Sequence, residues 1–423
     1  MDVNICKQYI EILKEELVPA LGCTEPISIA YGASKSVQVL GEFPKKIIVH
    51  SSGNIIKNAK GVIVPNTGSL KGIKASAIIG AVGGDADKEL EVLSGITAEH
   101  IDTTKKLLEE NFCEVKVLET KASLHFIVEV FGEKDKASVE IIHTHTNVVK
   151  VMKNDEIVES NDYNDNDFNN PLTDRSILNI KDILQFSNTI DIKSVQPYIQ
   201  RQLEFNKAIA EEGLKNDYGI NIGRMLQNRL GDFDNLIKGY TAAGSDARMG
   251  GSAMPVVTNS GSGNQGITIS NSVYMFAKLK GYNEEKLYRA LILANLVAIH
   301  IKTGISRLSS FCGAVVAGCG AAAAFTYMED GSLESIEMTI KNIISNASGI
   351  ICDGAKESCP AKIATSIDAA LQAHYLALDD KVVGHGCGII DHDTESTIHN
   401  VGIVGREGMR ETDAVILDIM SKI

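Results

Sequence analysis

The spacing of apolar residues divides the chain into a mixed first part and a helical second part. Residues 2–17 have helical periodicity, and this helix is predicted to end near Pro19. Apolar or alternating runs predict strands at 46–50, 62–65, 115–118, 124–131 and 138–152, with helices at 69–81 and 98–110. The last three strand runs are typical of an antiparallel meander. Residues 154–170 are polar and low in complexity, which predicts a loop or connector.

From residue 176 onward, the pattern is almost entirely helical. Predicted helices cover 176–188, 194–214, 219–230, 266–280, 284–301, 311–328, 333–347 and 361–377. We therefore expect an α+β N-terminal domain with an antiparallel sheet, followed by a mainly α-helical domain. The predicted units are an N-terminal helix with a cysteine motif (1–30) that packs on the helical domain, the α+β domain (31–190) and the helical domain (191–423).

Composition and charge narrow the class of protein. The net charge of −13 argues against nucleic acid or an anionic membrane as a partner. The chain does not open with a basic segment followed by an apolar one, so we expect a cytoplasmic protein. Residues 311–328 carry no charge, but they are rich in Gly and Ala and include two cysteines. A buried helix is therefore expected there, not a membrane span.

The eight cysteines are the first candidates for chemistry, because a reduced cytosol makes a disulfide framework improbable. Cys6 and Cys113 occupy amphipathic or strand contexts and are interpreted as core thiols. The other six stand beside glycine or in an irregular stretch: Cys23 in P-A-L-G-C-T-E-P, Cys312 and Cys319 in F-C-G-A-V-V-A-G-C-G, Cys352 and Cys359 in I-C-D-G-A-K-E-S-C-P, and Cys387 in G-H-G-C-G.

Glycine beside cysteine lets the backbone approach a bulky inorganic group and leaves N–H groups free for its sulfides. This pattern favours an iron–sulfur cluster over structural zinc, which usually shows tight C-x₂₋₄-C pairs. Spacing alone leaves zinc and unliganded thiols open. A cluster here would have dispersed ligands, which is typical of hydro-lyases that use iron as a Lewis acid.

Two polar stretches are candidate binding segments. Residues 244–266 form a glycine-rich segment predicted to be a loop before a helix, where Asn259, Ser260, Asn264 and Gln265 suit a small carboxylate or amino acid. The stretch H-T-H-T-N at 143–147 interrupts a predicted strand. His143 and His145 would share a face of that strand, either as metal ligands or as an exposed pair.

Several motifs together resemble the L-cysteine desulfidase family, which is related to the α-chain of iron–sulfur L-serine dehydratases. They are P-A-L-G-C-T-E-P at 19–26, S-S-G-N-I-I-K-N-A at 51–59, H-T-H-T-N at 143–147, P-V-V-T-N-S-G-S-G-N-Q-G at 255–266, the segment around Cys312, C-D-G-A-K-E-S-C at 352–359, and G-M-R-E-T-D near the C-terminus. The resemblance spans essentially the whole chain.

The resemblance implies a [4Fe-4S] cluster, carried by the helical domain and held by three cysteines so that one iron stays open. These map onto Cys312, Cys352 and Cys359, with Cys319 as competitor for the first position and Cys387 as a spare. The family's catalytic base maps onto Cys23, with Glu25 nearby as a group that could orient it. Candidate substrate contacts are Ser52, Asn54, Asn58, Asn147, Asn259, Ser260, Asn264 and Lys302. Lys302 and Arg307 would offset the charge of cluster and substrate, or serve only as helix-end residues.

The implied activity is β-elimination of L-cysteine to hydrogen sulfide, pyruvate and ammonia without pyridoxal phosphate. The substrate thiolate would bind the open iron while a base removes the α-proton. The alternatives are an iron–sulfur L-serine dehydratase and a non-catalytic iron–sulfur sensor. The expected partner is thus a small amino acid, with no nucleic acid and no membrane, and a homo-oligomer remains open.

Overall fold

The computed structural model describes residues 2–163, 172–229 and 231–422. It confirms the expected fold class, an α/β region followed by a mainly helical region. The strands are β1 (Pro19–Leu21), β2 (Lys46–Ser51), β3 (Cys113–Val117), β4 (His125–Phe131), β5 (Lys136–Ile142), β6 (Val148–Lys153), β7 (Glu156–Ser160) and β8 (Pro255–Val257).

The helices of the first half are α1 (Val3–Glu16), α2 (Thr24–Leu40), α3 (Gly53–Ala59), α4 (Gly72–Gly83), α5 (Ala98–Glu109), α6 (Ile180–Thr189), α7 (Gln196–Lys215) and α8 (Ile222–Arg229). Those of the second half are α9 (Phe233–Met249), α10 (Gly263–Lys280), α11 (Glu284–Ile305), α12 (Gly313–Glu329), α13 (Leu333–Ala347), α14 (Cys359–Leu378), α15 (Thr394–Ile403) and α16 (Arg410–Lys422). The division into units at residues 30 and 190 stays a prediction.

Six strands form one sheet in the order β3-β2-β4-β5-β6-β7. The pairs from β2–β4 to β6–β7 are antiparallel, whereas β2 and β3 run parallel. The sheet is therefore mixed. Helices α3 to α5 lie between β2 and β3 in the chain and form the crossover connection that a parallel pair requires. The prediction that residues 115–118 belong to the antiparallel meander is wrong, because β3 pairs with β2 at the edge of the sheet and not with β4. Strand β7 lies inside the predicted loop 154–170, whose residues 164–170 fall outside the described residues.

Helix α2 packs on the sheet and is covered on its other side by α4. Small residues permit both approaches: a Cβ at Gly32 would lie 3.1 Å from the Phe126 ring, and one at Gly80 would lie 2.3 Å from the Ala30 carbonyl oxygen. Because α2 is buried on almost every face, it lacks the one-sided apolar period by which a helix is recognised in a sequence. This packing fixes the start of α2, where Cys23 and Glu25 lie.

The second core belongs to the helices. Helix α12 is buried along nearly its whole length, as expected for the uncharged run at 311–328. Tyr9, Ile12 and Leu13 of α1 join this core. Within the part of the chain that the structure describes, no helix is both long and apolar enough to cross a bilayer.

Three further local predictions are wrong. Residues 62–65 make an isolated bridge between Ile63 and Lys71 instead of a strand. The predicted loop 244–266 begins as the last turns of α9 and contains β8. The last turns of α9 contain Gly244, Ser245 and Asp246, whose weak helical preference is overridden by tertiary packing. His143 and His145 lie in the loop between β5 and β6, where His143 has a φ of 67°, so they share no strand face.

The two cores meet at a short β-ladder. Strand β1 pairs antiparallel with β8, with Pro19 opposite Val257 and Leu21 opposite Pro255. The C-terminal helix α16 makes a second junction by packing on α3. These two contacts bring the N-terminal cysteine motif and the S-S-G-N-I-I-K-N-A motif against the cysteine-bearing loops of the helical region.

Candidate active site

Two of the candidate ligand cysteines are held side by side by the backbone. The Cys312 N–H donates to the Ile350 carbonyl at 3.1 Å, and the Cys352 N–H donates to the Ser310 carbonyl at 2.6 Å. An antiparallel bridge between residues 311 and 351 lies between these bonds. Residues forty positions apart in the sequence are thereby placed next to each other.

Two of the three candidate ligand cysteines lie at helix N-termini. Cys312 caps the N-terminus of α12, and Cys359 is the first residue of α14. Each helix start carries unpaired N–H groups and a partial positive charge, which favours an anionic sulfur. The Lys356 N–H accordingly donates to Cys359 Sγ at 3.4 Å, and a backbone hydrogen bond from Ala314 favours the thiolate of Cys312.

The three thiols affect one another electrostatically. Burial, reinforced by Cys352, raises the pKa of Cys312 to about 12. Burial also raises the pKa of Cys359, and Cys352 adds to the shift. Thiols that are buried together lose their protons less readily than a free thiol does. They become good ligands once a metal displaces those protons.

All three cysteines line one cavity of about 100 Å³ at the junction of the two cores. Other lining residues come from the starts of α2, α10, α12 and α14, from α3, from the ends of α9 and α11, from the β5–β6 loop, and from the loops before α10, α12 and α14. They include Thr24, Glu25, Asn58, His145, Arg248, Ser260, Asn264, Gln265, Lys302, Arg307 and Lys362.

The residues present fit a three-cysteine iron–sulfur cluster. Glycine stands where the backbone passes closest to its neighbours: a Cβ at Gly313 would lie 2.8 Å from the Gln265 side chain, and one at Gly354 would lie 2.5 Å from the Lys57 carbonyl oxygen. Gln265 Oε1 and His145 Nε2 are buried without a hydrogen-bond partner among the described residues. Three sulfurs, amide donors and unpaired polar atoms in one cavity match the surroundings of such a cluster.

The other two cysteines considered as ligands lie elsewhere. Cys319 is 1% exposed within the helical core and does not line the cavity. Cys387 is exposed in the loop before α15. The structure thus groups Cys312, Cys352 and Cys359 and leaves Cys319 and Cys387 apart.

Cys23 lies beside this group but does not line the cavity. It caps the N-terminus of α2 and packs against Met249, Val62 and Cys359. Burial raises its pKa to about 12, although the positive charge of Arg248 opposes the shift. Its assignment as the catalytic base stays a prediction.

The carboxyl group of Glu25 lies in the cavity itself. Glu25 Oε2 accepts a hydrogen bond from Thr24 Oγ1 at 3.2 Å, and this hydroxyl also lies 3.0 Å from the Gly261 carbonyl oxygen. Burial raises the pKa of Glu25. A carboxyl group with a raised pKa is suited to proton transfer near neutral pH.

Lys302 is a buried cation whose charge interacts with two of the ligand cysteines. It is 4% exposed, and burial lowers its pKa to about 8 although the thiols of Cys352 and Cys312 oppose this shift. Arg307 is different, because it donates to Glu16 Oε1 at 2.7 Å. The structure therefore favours Lys302 over Arg307 as the charge that offsets a cluster.

The predicted substrate residues are only partly assembled. Asn58, Ser260, Asn264 and Lys302 line the cavity, whereas Ser52 and Asn54 line a larger neighbouring groove. Asn147 bonds to the Ile142 carbonyl at 3.0 Å within its own loop, and Asn259 bonds to Asn295 Oδ1 at 2.9 Å.

Sequence reasoning missed Arg248, Lys362 and the role of His145 in this cavity. Arg248 was hidden in a stretch interpreted as a loop, and His145 was assigned to a strand. His145 belongs to the H-T-H-T-N motif, which is its signal in the sequence, whereas Arg248 lies outside every motif that carries the resemblance.

Asp413, in the G-M-R-E-T-D motif, binds residues that adjoin two of the candidate ligand cysteines. It accepts from the Ser310 N–H at 3.1 Å and from Ser310 Oγ at 2.6 Å, and it forms an ion pair with the buried Lys57. Lys57 in turn donates to the Cys352 carbonyl at 3.3 Å. One carboxylate on α16 thus positions the backbone beside two candidate ligands.

Comparison with known proteins agrees with this arrangement. The family described as "Serine dehydratase alpha chain" matches residues 87–418, which contain all three grouped cysteines. The chain belongs to this family. Membership indicates an enzyme of the dehydratase type, that is, a lyase.

Relatives extend the similarity over the whole chain. A "UPF0597 protein" of Treponema denticola is 49% identical over 100% of this chain and 99% of its own length. Proteins of the same name from Lachnoclostridium phytofermentans and Fusobacterium nucleatum are 48% and 44% identical, each over 98% of this chain and 99% of their own length.

Proposed function

We propose that this family member is an L-cysteine desulfidase that eliminates sulfide from L-cysteine without pyridoxal phosphate. The observation that carries the proposal is the convergence of Cys312, Cys352 and Cys359 on a buried cavity that also holds acidic, basic and amide groups. A dehydratase and a desulfidase catalyse the same β-elimination with different leaving groups. Family membership therefore supports the reaction class, and the motif around Cys23 supports cysteine.

Cys312, Cys352 and Cys359 would hold a [4Fe-4S] cluster, which when bound supplies Lewis-acid stabilisation of the leaving group. Lys302 stands next to two of these sulfurs and would reduce the negative charge that they add to the cavity. The helix N-termini at Cys312 and Cys359 act in the same direction.

The chain's own residues would manage the α-proton. In the elimination, a base removes the α-proton and the Cβ–S bond breaks, with sulfide leaving. The resulting aminoacrylate then takes up water and yields pyruvate and ammonia. Cys23 is the proposed proton acceptor, and Glu25 is the second candidate because its carboxyl group lies in the cavity. Burial of the site limits water access, which strengthens the electrostatic interactions within it.

The second candidate function is L-serine dehydratase activity, which the family's own description favours. Here the leaving group would be hydroxide, and the same residues would serve. A non-catalytic iron–sulfur sensor is the third alternative.

One experiment separates these functions. Anaerobically purified, cluster-loaded protein is given L-cysteine or L-serine, and sulfide, pyruvate and ammonia are measured. The proposal predicts equimolar sulfide and pyruvate from L-cysteine at a higher kcat/KM than pyruvate from L-serine. Faster release from serine would establish the dehydratase, and no release from either amino acid would favour the sensor.

A further inference from the structure

Arg248 is a buried cation that lacks an acidic partner among the described residues. Its side chain comes from the last turn of α9, is 5% exposed and lines the cavity. Its described hydrogen bond runs from Nε to the Gly22 carbonyl at 2.9 Å. A buried guanidinium is costly unless an anion compensates it.

The other cationic side chains that line the cavity have neighbours that compensate their charge. Arg307 pairs with Glu16 at 2.7 Å, and Lys362 pairs with Asp353 at 2.6 Å. Lys302 faces the sulfurs of Cys312 and Cys352. Within residues 2–163, 172–229 and 231–422, Arg248 forms no ion pair. Its positive charge acts on the buried carboxyl group of Glu25, but burial raises the pKa of that group and makes it a weak source of negative charge. An anionic ligand in the cavity would supply the compensating charge.

The fold builds a place for the guanidinium group. Gly263 leaves it room, since a Cβ there would lie 2.5 Å from Arg248 Nε and 2.8 Å from Cζ. On the other side, Gly22 has a φ of +54° and turns its carbonyl toward Nε. The guanidinium is thus fixed between the turn before α2 and the N-terminus of α10, a position that itself favours anions.

Two further side chains point to a ligand at this place. Among the residues that the structure describes, Gln265 Oε1 and His145 Nε2 have no hydrogen-bond partner, and their residues are 3% and 5% exposed. Both residues line the same cavity as Arg248. An amide oxygen and an imidazole nitrogen suit an ammonium group, whereas the guanidinium suits a carboxylate.

We propose that Arg248 binds the α-carboxylate of the amino-acid substrate, and that Gln265 and His145 lie around its amino group. The positive charge of Arg248 interacts with Cys23, Glu25 and Cys359, whereas that of Lys302 interacts with Cys312 and Cys352. An amino acid held this way has its carboxylate near the candidate bases and its leaving group toward the ligand cysteines. The α-carbon then lies between them, as β-elimination requires.

The inference rests on the proposed function only in taking an α-amino acid as the ligand. Binding of non-reactive probes therefore tests it apart from catalysis. L-alanine has the carboxylate and amine but no leaving group, and L-alaninamide lacks only the carboxylate charge. Their affinities for anaerobic, cluster-loaded protein are measured by titration calorimetry.

The wild-type protein should bind L-alanine about 10- to 100-fold more tightly than L-alaninamide, the range expected for a charged hydrogen-bonded pair. Arg248→Gln should bring L-alanine to the affinity of the amide and leave the amide within about threefold. Arg248→Lys keeps the charge without the planar fork and should retain part of the preference. Arg224→Gln is the control, because that arginine pairs with the exposed Asp217 and does not line the cavity, and it should keep the preference.

Thermal unfolding and iron content are recorded for each variant. A full preference for L-alanine in Arg248→Gln would overturn the assignment, and so would its loss in Arg224→Gln. Failure of the wild-type protein to bind L-alanine would overturn it as well. Loss of iron in both Arg248 variants would show that this charge serves the cluster instead. If the probes behave as expected but no sulfide is released from cysteine, Arg248 stays assigned and the proposed reaction fails.

Discussion

Substitution of Asp413 tests how the C-terminal helix supports the active site. In Asp413→Asn the side chain keeps its size but loses the charge that faces Lys57, whose side chain is 1% exposed. Removing one partner of a buried ion pair typically costs about 3–5 kcal/mol, because the remaining charge is left uncompensated. Asp413 is 18% exposed, so solvent screens this pair only weakly.

The lost stability should appear as local opening of α16. The described contacts of α16 include α3, which carries Lys57, and the segment that precedes α16 in the chain. Amide hydrogen exchange in residues 410–422 measures that opening. The expected acceleration is on the order of 10²- to 10³-fold, the equivalent of about 3–4 kcal/mol. Glu411→Gln is the matched control, since Glu411 is exposed on the same helix and its substitution should change exchange little.

The reasoning also predicts an effect on the ligand cysteines. Lys57 donates to the Cys352 carbonyl, and Asp413 holds Ser310, so Asp413→Asn should also lower the iron content of the purified protein. Unchanged exchange in residues 410–422 would show that the Asp413–Lys57 pair does not hold the helix. Faster exchange with full iron content would show that the pair serves the helix and not the cysteines.

Three more predictions concern the base, the cysteine loop and the core. Cys23→Ala should keep the brown cluster chromophore and abolish sulfide release. Near-normal release in that variant, together with loss of release in Glu25→Gln, would transfer the base role to Glu25. Gly354→Ala should lose iron, because Gly354 has a φ of +102° and its Cβ would lie 2.5 Å from the Lys57 carbonyl oxygen, whereas Gly349→Ala, which meets nothing within 4 Å, should retain iron. Burial lowers the pKa of His374 to about 4, below its unfolded value of about 6.5, so its contribution to stability is complete above pH 6.5 and is lost as the pH falls toward 4. The free energy of unfolding of the wild-type protein, measured by thermal unfolding, should therefore fall by up to about 3 kcal/mol over that pH range. His374→Gln should flatten this pH dependence, and equal slopes in the two proteins would contradict this account.

The parts of the fold predicted correctly are those written in local patterns. Alternation in residues 125–131 places Phe126, Val128 and Val130 on the buried face of β4, and a period of 3.6 identifies α1. The uncharged run at 311–328 was correctly interpreted as a buried helix. In each case, the sequence within one element already specifies which side faces the core.

The parts that were missed depend on contacts between distant segments. Helices α2 and α9 are buried on most faces, so no apolar stripe marks them. The pairing of residues 19–21 with 255–257 cannot be read from either short segment alone. Because that pairing helps to bring α2 to the cavity, the closeness of Glu25 and Arg248 was also beyond local prediction.

The candidate site divides in the same way. The three cysteines were identified because their motifs are distinctive and lie in glycine-bearing segments. Asn147 and Asn259 belong to equally distinctive motifs, yet their side chains are used in local or core hydrogen bonds. A motif marks a segment, but only the fold decides which of its side chains faces the cavity.

Iron and labile sulfide content of anaerobically purified variants tests the central claim, that Cys312, Cys352 and Cys359 form one cluster site. The account predicts about four iron and four sulfide per chain for the wild-type protein, with the absorption of a [4Fe-4S] cluster. Cys312→Ser, Cys352→Ser and Cys359→Ser should each lose most of both, whereas Cys319→Ser and Cys387→Ser should keep wild-type content. A wild-type protein without iron, or a cluster that survives loss of any of the three but not of Cys319, would contradict the account.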